Sequence, residues 1–321
     1  MEYAWGFFLI RFGTLASHRI VMTTISDLVH RLYEETTAGF LSAYLPICMS
    51  WMSGRYDMRS LAPTVCSILG VRPPGSADAE PFLEVVDSMG ETERLAVVVI
   101  DGFGVSTWTA ARLETPTFNA LANRHLLHFR SVMPTITPVN FATMLTGAGP
   151  DVHMIRDRTQ ELKPETVFDV LREKGATSAT AARALSSLGI LISPLADRPG
   201  IAESNTDEEV TALALKALGE GVELLWVQLL DVDDAGHAHG PLSSQGIAAT
   251  KSADRHLREI AVRAQGEDYG ILELADHGQH PILREDGSEG GTHGTYSDED
   301  VYVPLVWCNP EELKGTLGIP S

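Results

Sequence analysis

Three largely apolar runs, Leu95–Ile100, Leu224–Leu230 and Gly270–Ala275, constrain this chain more than any other feature. Each is apolar at successive positions rather than alternate ones, so each suits a strand covered on both faces. That is the pattern of a parallel sheet sandwiched between helices. Shorter strands are predicted at Phe129–Met133, Thr177–Ala181 and Val303–Trp307. Helical spacing falls at about Thr117–Leu126, Glu165–Lys174, Asp207–Leu218 and Ser243–Ala264. A further helix is predicted over Leu61–Leu69, with Pro63 in its first turn and Gly70 ending it. Alternation of this kind predicts an α/β fold, a central and mostly parallel sheet layered between helices.

Bulk properties exclude only a few function classes. A net charge of −19 argues against a nucleic-acid partner, because phosphate backbones recruit Lys and Arg. Bound divalent cations would invert the potential locally, so a small anionic ester remains an acceptable substrate. The three cysteines, Cys48, Cys66 and Cys308, are dispersed and form no CxxC, which predicts a reduced, cytoplasmic setting. The N-terminal apolar run Ala4–Ile10 is far below the roughly 20 residues of a spanning helix, so no membrane segment is predicted. Residues 1–57 differ in character, with scattered aromatics and a weak helical pattern around Ile25–Tyr33. They are expected to form a loosely attached extension or translated upstream sequence, leaving 58–321 as the catalytic domain.

The apolar runs lead directly into acids and histidines. Asp101 follows the first, within Ile100-Asp-Gly-Phe-Gly104. Asp233 and His237 follow the second, four residues apart, so one helical turn could aim both at a single ion. Asp231, Asp234 and His239 are rival ligands by spacing. Asp276 and His277 follow the third, with His280 nearby, and His293 lies in the loop Gly290-Gly-Thr-His-Gly294. Open α/β sheets bind ligands outside the carboxyl ends of their strands, which is where these groups fall. Gly102-Phe-Gly104 is a poor dinucleotide fingerprint, since the third glycine is replaced by Thr107 and an acid precedes the turn.

Thr137-Pro138 reads as an N-cap followed by proline at the first helical position, with Asn140 at the third. A helix N-terminus attracts phosphate, and a hydroxyl at that end faces the same anion. A nearby metal would lower its pKa and make it a nucleophile. Mixed oxygen and nitrogen donors suit zinc or a similar ion.

These segments resemble the alkaline phosphatase superfamily, most closely its nucleotide pyrophosphatase/phosphodiesterase branch. The resemblance rests on IDGFG, PTITPVNFATMLTGAGPDVH, DVDDAGHAHGP, ADHG and GTHG, over roughly residues 95–310. It implies two divalent metal ions, usually Zn2+, with Mn2+ as the alternative. Asp101, Thr137, Asp276 and His277 would hold one ion, and Asp233, His237 and His293 the other. Thr137 would be the nucleophile, forming a phosphothreonine intermediate, and Asn140 an oxyanion donor. The implied activity is hydrolysis of phosphodiesters or nucleotide pyrophosphates, small-molecule substrates. Phosphomonoester or phosphonate hydrolysis, and a non-catalytic metal-binding role, are the alternatives. Leu61–Gly75 looks like a segment that follows the last histidine in such relatives, so a circularly permuted order is expected.

Overall fold

The structure is a computed structural model that describes residues 56–317. The chain divides into units Met1–Trp51 and Met52–Ser321. The expected extension therefore lies almost wholly outside the described residues, as do its helical pattern and Cys48. Its last residue pair is described: Tyr56 is buried edge-on to Phe82, and the Asp57 side chain accepts from the Arg59 N–H.

Seven strands form the main sheet: β1 (Leu95–Ile100), β2 (Leu126–Arg130), β3 (Ser178–Arg183), β4 (Arg198–Ala202), β5 (Leu224–Leu229), β6 (Gly270–Leu274) and β9 (Tyr302–Cys308). Their order is β2-β9-β6-β1-β5-β3-β4. The pairs around β1, β5, β3, β4 and β6 are parallel, and β9 runs antiparallel to both of its neighbours. Every residue of β1, β3, β5 and β6 is buried, as expected for strands covered on both faces. A separate hairpin joins β7 (His280–Leu283) to β8 (Glu289–Thr292).

The helices that matter for the site are α1 (Leu61–Ile68), α2 (Thr137–Thr146), α3 (Val167–Lys174), α4 (Asp207–Gly219), α5 (Asp231–His239) and α6 (Ser244–Gly266). Thr166 starts α3 through a reciprocal capping box with Asp169, and Gly175 ends it in the left-handed conformation. Thr206 caps α4 at Glu209 N–H, and Ser243 caps α6 at Gly246 N–H.

Three expectations shift. The strand predicted at Phe129–Met133 begins at Leu126, because the preceding helix stops at Ala122. Thr137 is the first residue of α2 rather than its cap; Ile136, in extended conformation, takes the cap position. The strand β4, the β7–β8 hairpin and a π-turn at Leu188–Ile192 carry no pattern that the sequence reading used. Early and late segments meet: the Trp307 indole donates to Ser88 Oγ at 2.8 Å, and Asn309 Nδ2 to Ser88 O at 3.2 Å.

Candidate metal centre

Three adjacent strands deliver the carboxylates. β6, β1 and β5 lie side by side, and Asp276, Asp101 and Asp233 follow their carboxyl ends. The approach is made possible by glycine. Gly102 has φ +72, and a Cβ there would sit 3.3 Å from Asp233 Cβ. Gly104 and Gly278 press against each other, so that a Cβ on Gly104 would lie 2.6 Å from Gly278 Cα. Asp276 is fixed through its backbone, its carbonyl accepting from Ser131 Oγ at 2.6 Å.

Asp101, Asp276 and His277 are all 0% exposed. His277 Nε2 lies 3.5 Å from Asp101 Oδ1 and 3.3 Å from Asp276 Oδ2. The Thr137 hydroxyl joins this group at 3.1 Å from the same Nε2. Beside it, Asp233 Oδ2 is 3.4 Å from His237 Nε2, and Asp233 Oδ1 is 3.8 Å from His293 Nε2. Donor atoms of Asp101, Asp276 and His277, and of Asp233, His277 and His293, converge closely enough to hold an ion each. His277 is within reach of both positions; its contact with Thr137 favours the first.

The imidazoles share one orientation. Nδ1–H of His237 donates to Gly291 O at 3.1 Å, that of His277 to Gly278 O at 3.1 Å, and that of His293 to Thr135 O at 2.8 Å. A carbonyl only accepts, so each neutral ring keeps its lone pair on Nε2. His237 Nε2 and His293 Nε2 are 3.1 Å apart, two lone pairs facing each other. Asp101 Oδ1 and Asp276 Oδ2 are buried with no hydrogen-bond partner. Converging acceptors with only the Thr137 hydroxyl to donate among them are unfavourable unless a cation sits between them, so this donor set fits divalent ions.

Electrostatics agree. Burial, then the charges of Asp276 and Asp233, push Asp101 well above the carboxylate range. Burial and then Asp233 raise Asp276 to about 7. Burial, with His293 next, holds His277 far below an ordinary imidazole, and burial also lowers His293.

The groups that hold the ligands follow no motif or spacing in the sequence. Gln228 Nε2 donates to Asp101 Oδ2 at 2.5 Å, its orientation set because its Oε1 accepts from Leu188 N–H at 3.0 Å. Gln279 Nε2 donates to Asp233 Oδ1. A lone amide inside the apolar run of β5 was the available signal, since a buried amide demands partners. Of the rival ligands, Asp231 and Asp234 pair instead with Arg183. His280 is bonded to Asp300, 2.8 Å away, whose other oxygen holds Thr295 in the loop bearing His293.

Asn140 lies at the start of α2, against the loop that precedes Thr137. Its Oδ1 accepts from Val132 N–H at 2.9 Å, and its Nδ2 donates to Val132 O and Ile136 O, both at 3.3 Å. Fully buried, its amide braces the loop before Thr137.

Fold and site together are those of the alkaline phosphatase superfamily, with two Asp/His clusters suited to divalent ions. Residues 95–290 match the family profile described as Type I phosphodiesterase / nucleotide pyrophosphatase, and the chain belongs to that family. A search of curated proteins found no match. Among solved structures, murine ectonucleotide pyrophosphatase / phosphodiesterase 5, an inactive variant in complex with AMP, aligns at 13% identity with TM-score 0.56. That match covers 71% of this chain and 96% of the other. The C-terminal periplasmic domain of EptC from Escherichia coli, in complex with Zn, aligns at 14% identity with TM-score 0.52, covering 72% and 77%. Phosphonoacetate hydrolase from Sinorhizobium meliloti, in complex with phosphonoformate, aligns at 21% identity with TM-score 0.48. Here 61% of this chain covers 58% of the relative, little more than half its length.

These relatives overturn the cytoplasmic expectation. EptC contributes periplasmic domains and the mammalian relatives are ecto-enzymes by name. Cys66 and Cys308 are buried free thiols, a state compatible with either compartment. No helix among the described residues is long and apolar enough to cross a membrane.

Proposed function

We propose that this protein hydrolyses phosphodiesters or nucleotide pyrophosphates with two divalent ions, Zn2+ or alternatively Mn2+, through a phosphothreonine intermediate. The observation that carries the reading is the Thr137 hydroxyl at the N-terminus of α2, 3.1 Å from His277 Nε2 and beside the unpartnered Asp101 and Asp276 oxygens. Asp101, Thr137, Asp276 and His277 would hold one ion, and Asp233, His237 and His293 the other. Ions held there would lower the pKa of the hydroxyl and offset charge on the phosphoryl oxygens.

The residues themselves account for the remainder. Thr137 Oγ attacks phosphorus, the leaving alcohol departs from the opposite side, and water then cleaves the phosphothreonine and restores the hydroxyl. The N-terminus of α2 brings its positive dipole end to the phosphoryl group, which favours the developing charge. In the free protein the Thr137 hydroxyl donates to His277 Nε2, which fixes the rotamer that faces substrate.

A diester is favoured over a monoester by where the arginines are spent. Arg156 donates to Pro150 O and Ile155 O, and Arg183 is occupied by three carboxylates. Neither is directed to meet the second negative charge of a monoester. The test compares bis-(p-nitrophenyl) phosphate with p-nitrophenyl phosphate, using metal-loaded, chelated and Thr137→Ala protein. Faster diester cleavage that needs both metal and Thr137 is expected. Faster monoester cleavage would make it a phosphatase, and cleavage of neither would turn attention to phosphonates.

A further inference from the structure

Asp231 and Asp234, the acids that rivalled Asp233 in sequence, are held by one buried arginine. Arg183 closes β3 and is 2% exposed, yet its guanidinium meets three carboxylates. Nε and Nη2 donate to Asp207 Oδ1 at 3.0 and 2.7 Å, Nη1 donates to Asp234 Oδ2 at 2.9 Å, and Nη2 also meets Asp231. Asp207 is 0% exposed and itself accepts the N–H of Leu230, at 3.0 Å to each oxygen, and of Asp231 at 2.9 Å. Those amides open α5. One ion pair thus caps the helix and grips the face that carries Asp231 and Asp234. At about 100° per residue, Asp233 and His237 fall on a different face, toward His293.

We infer that Arg183, anchored by Asp207, is a positioning residue for the Asp233–His237 pair. It sets the rotation of α5, and so the half of the centre built on Asp233, His237 and His293. It also keeps Asp231 and Asp234 from competing for the ion. The inference rests on the two-ion reading proposed above. Charge alone argues the opposite way: a guanidinium beside a cation site repels the cation, so deleting it should tighten binding. Positioning predicts weaker binding, and the sign separates the two.

Zn2+ is titrated calorimetrically into metal-free wild type, Arg183→Lys and Arg183→Gln, with Co2+ absorption distinguishing the two positions. Wild type taking up two ions is expected; fewer would overturn the two-ion reading and this inference with it. Arg183→Lys keeps a charge beside Asp207 but loses the fork. Its first ion should bind as in wild type and its second roughly tenfold or more weakly. Arg183→Gln should weaken the second ion further. Two ions in wild type with an unchanged or tighter second ion in the variants would overturn the inference alone. Equal weakening of both ions, alongside a lower melting temperature, would reduce Arg183 to a structural role. Should Arg183→Gln fail to fold with Asp207 left unpaired, Arg183→Lys decides the question.

Discussion

Asp276 makes metal loading depend on pH. Its carboxyl titrates at about 7, raised by burial and by Asp233, so below that pH an incoming ion must displace a proton. Affinity at the Asp101–Asp276–His277 cluster should fall as pH drops through about 7, with proton release visible by calorimetry in buffers of different ionisation enthalpy. An affinity constant from pH 8 to 5 would contradict this. Thr137 supplies the second expectation at this level. Thr137→Ala should lower turnover on the order of 10³-fold or more while two ions remain by elemental analysis. Full activity in that variant would dismiss the covalent route. The ligands themselves were legible because each follows an apolar run directly. Their holders were not, since Gln228, Gln279 and Arg183 act across segments 40 or more residues apart in sequence or bind through amides that no spacing rule flags.

α5 is the element on which the second half of the centre turns. Gly236 lies under Gln279, and a Cβ there would overlap Gln279 Oε1. Gly236→Ala should therefore push the amide off Asp233 and destabilise the fold by about 1–3 kcal/mol, as overpacking of a filled interior does. Denaturant unfolding measures the first effect, and zinc uptake by the same sample measures the second. A variant as stable as wild type with normal zinc uptake would show that the glycine is not required. Elements were readable where burial wrote them into composition. β1, β5 and β6 are apolar throughout because helices cover both faces. The β7–β8 hairpin, Glu289–Thr292 in particular, has two glycines and no apolar alternation, because β8 runs close against α5: a Cβ on Gly291 would lie 2.7 Å from Gly236 O. A polar residue near a helix start, such as Asn140, suits either an anion or a neighbouring loop, and spacing does not choose between them.

For the whole molecule, ligand linkage and acid titration set stability. Ions that bind only the folded centre raise its stability by about 2.7 kcal/mol at a hundredfold excess over Kd, so a chelator should lower the melting temperature in proportion to occupancy. Identical melting with and without chelator would mean that the centre is empty in solution. His153 shapes the acid limb. It accepts from Ile155 N–H through Nδ1 at 3.0 Å and donates from Nε2 to Thr143 Oγ1 at 3.1 Å, which requires the neutral ring. Burial, helped by Arg156, draws its pKa down to about 4, against roughly 6.5 when unfolded. The folded state thus binds the proton less well. Its stabilising share is complete above about 6.5 and is lost as pH falls toward 4. His153→Gln should flatten the decline in melting temperature across that window, and an unchanged slope would assign the decline to other groups.

The three imidazoles are oriented by main-chain carbonyls of Gly278, Gly291 and Thr135 rather than by side chains. A lineage carrying this centre can therefore exchange the side chains around it without disturbing which nitrogen is presented. New leaving groups can be accommodated by drift at the rim while the chemistry beneath stays in place, and changes that move the backbone itself would be purged.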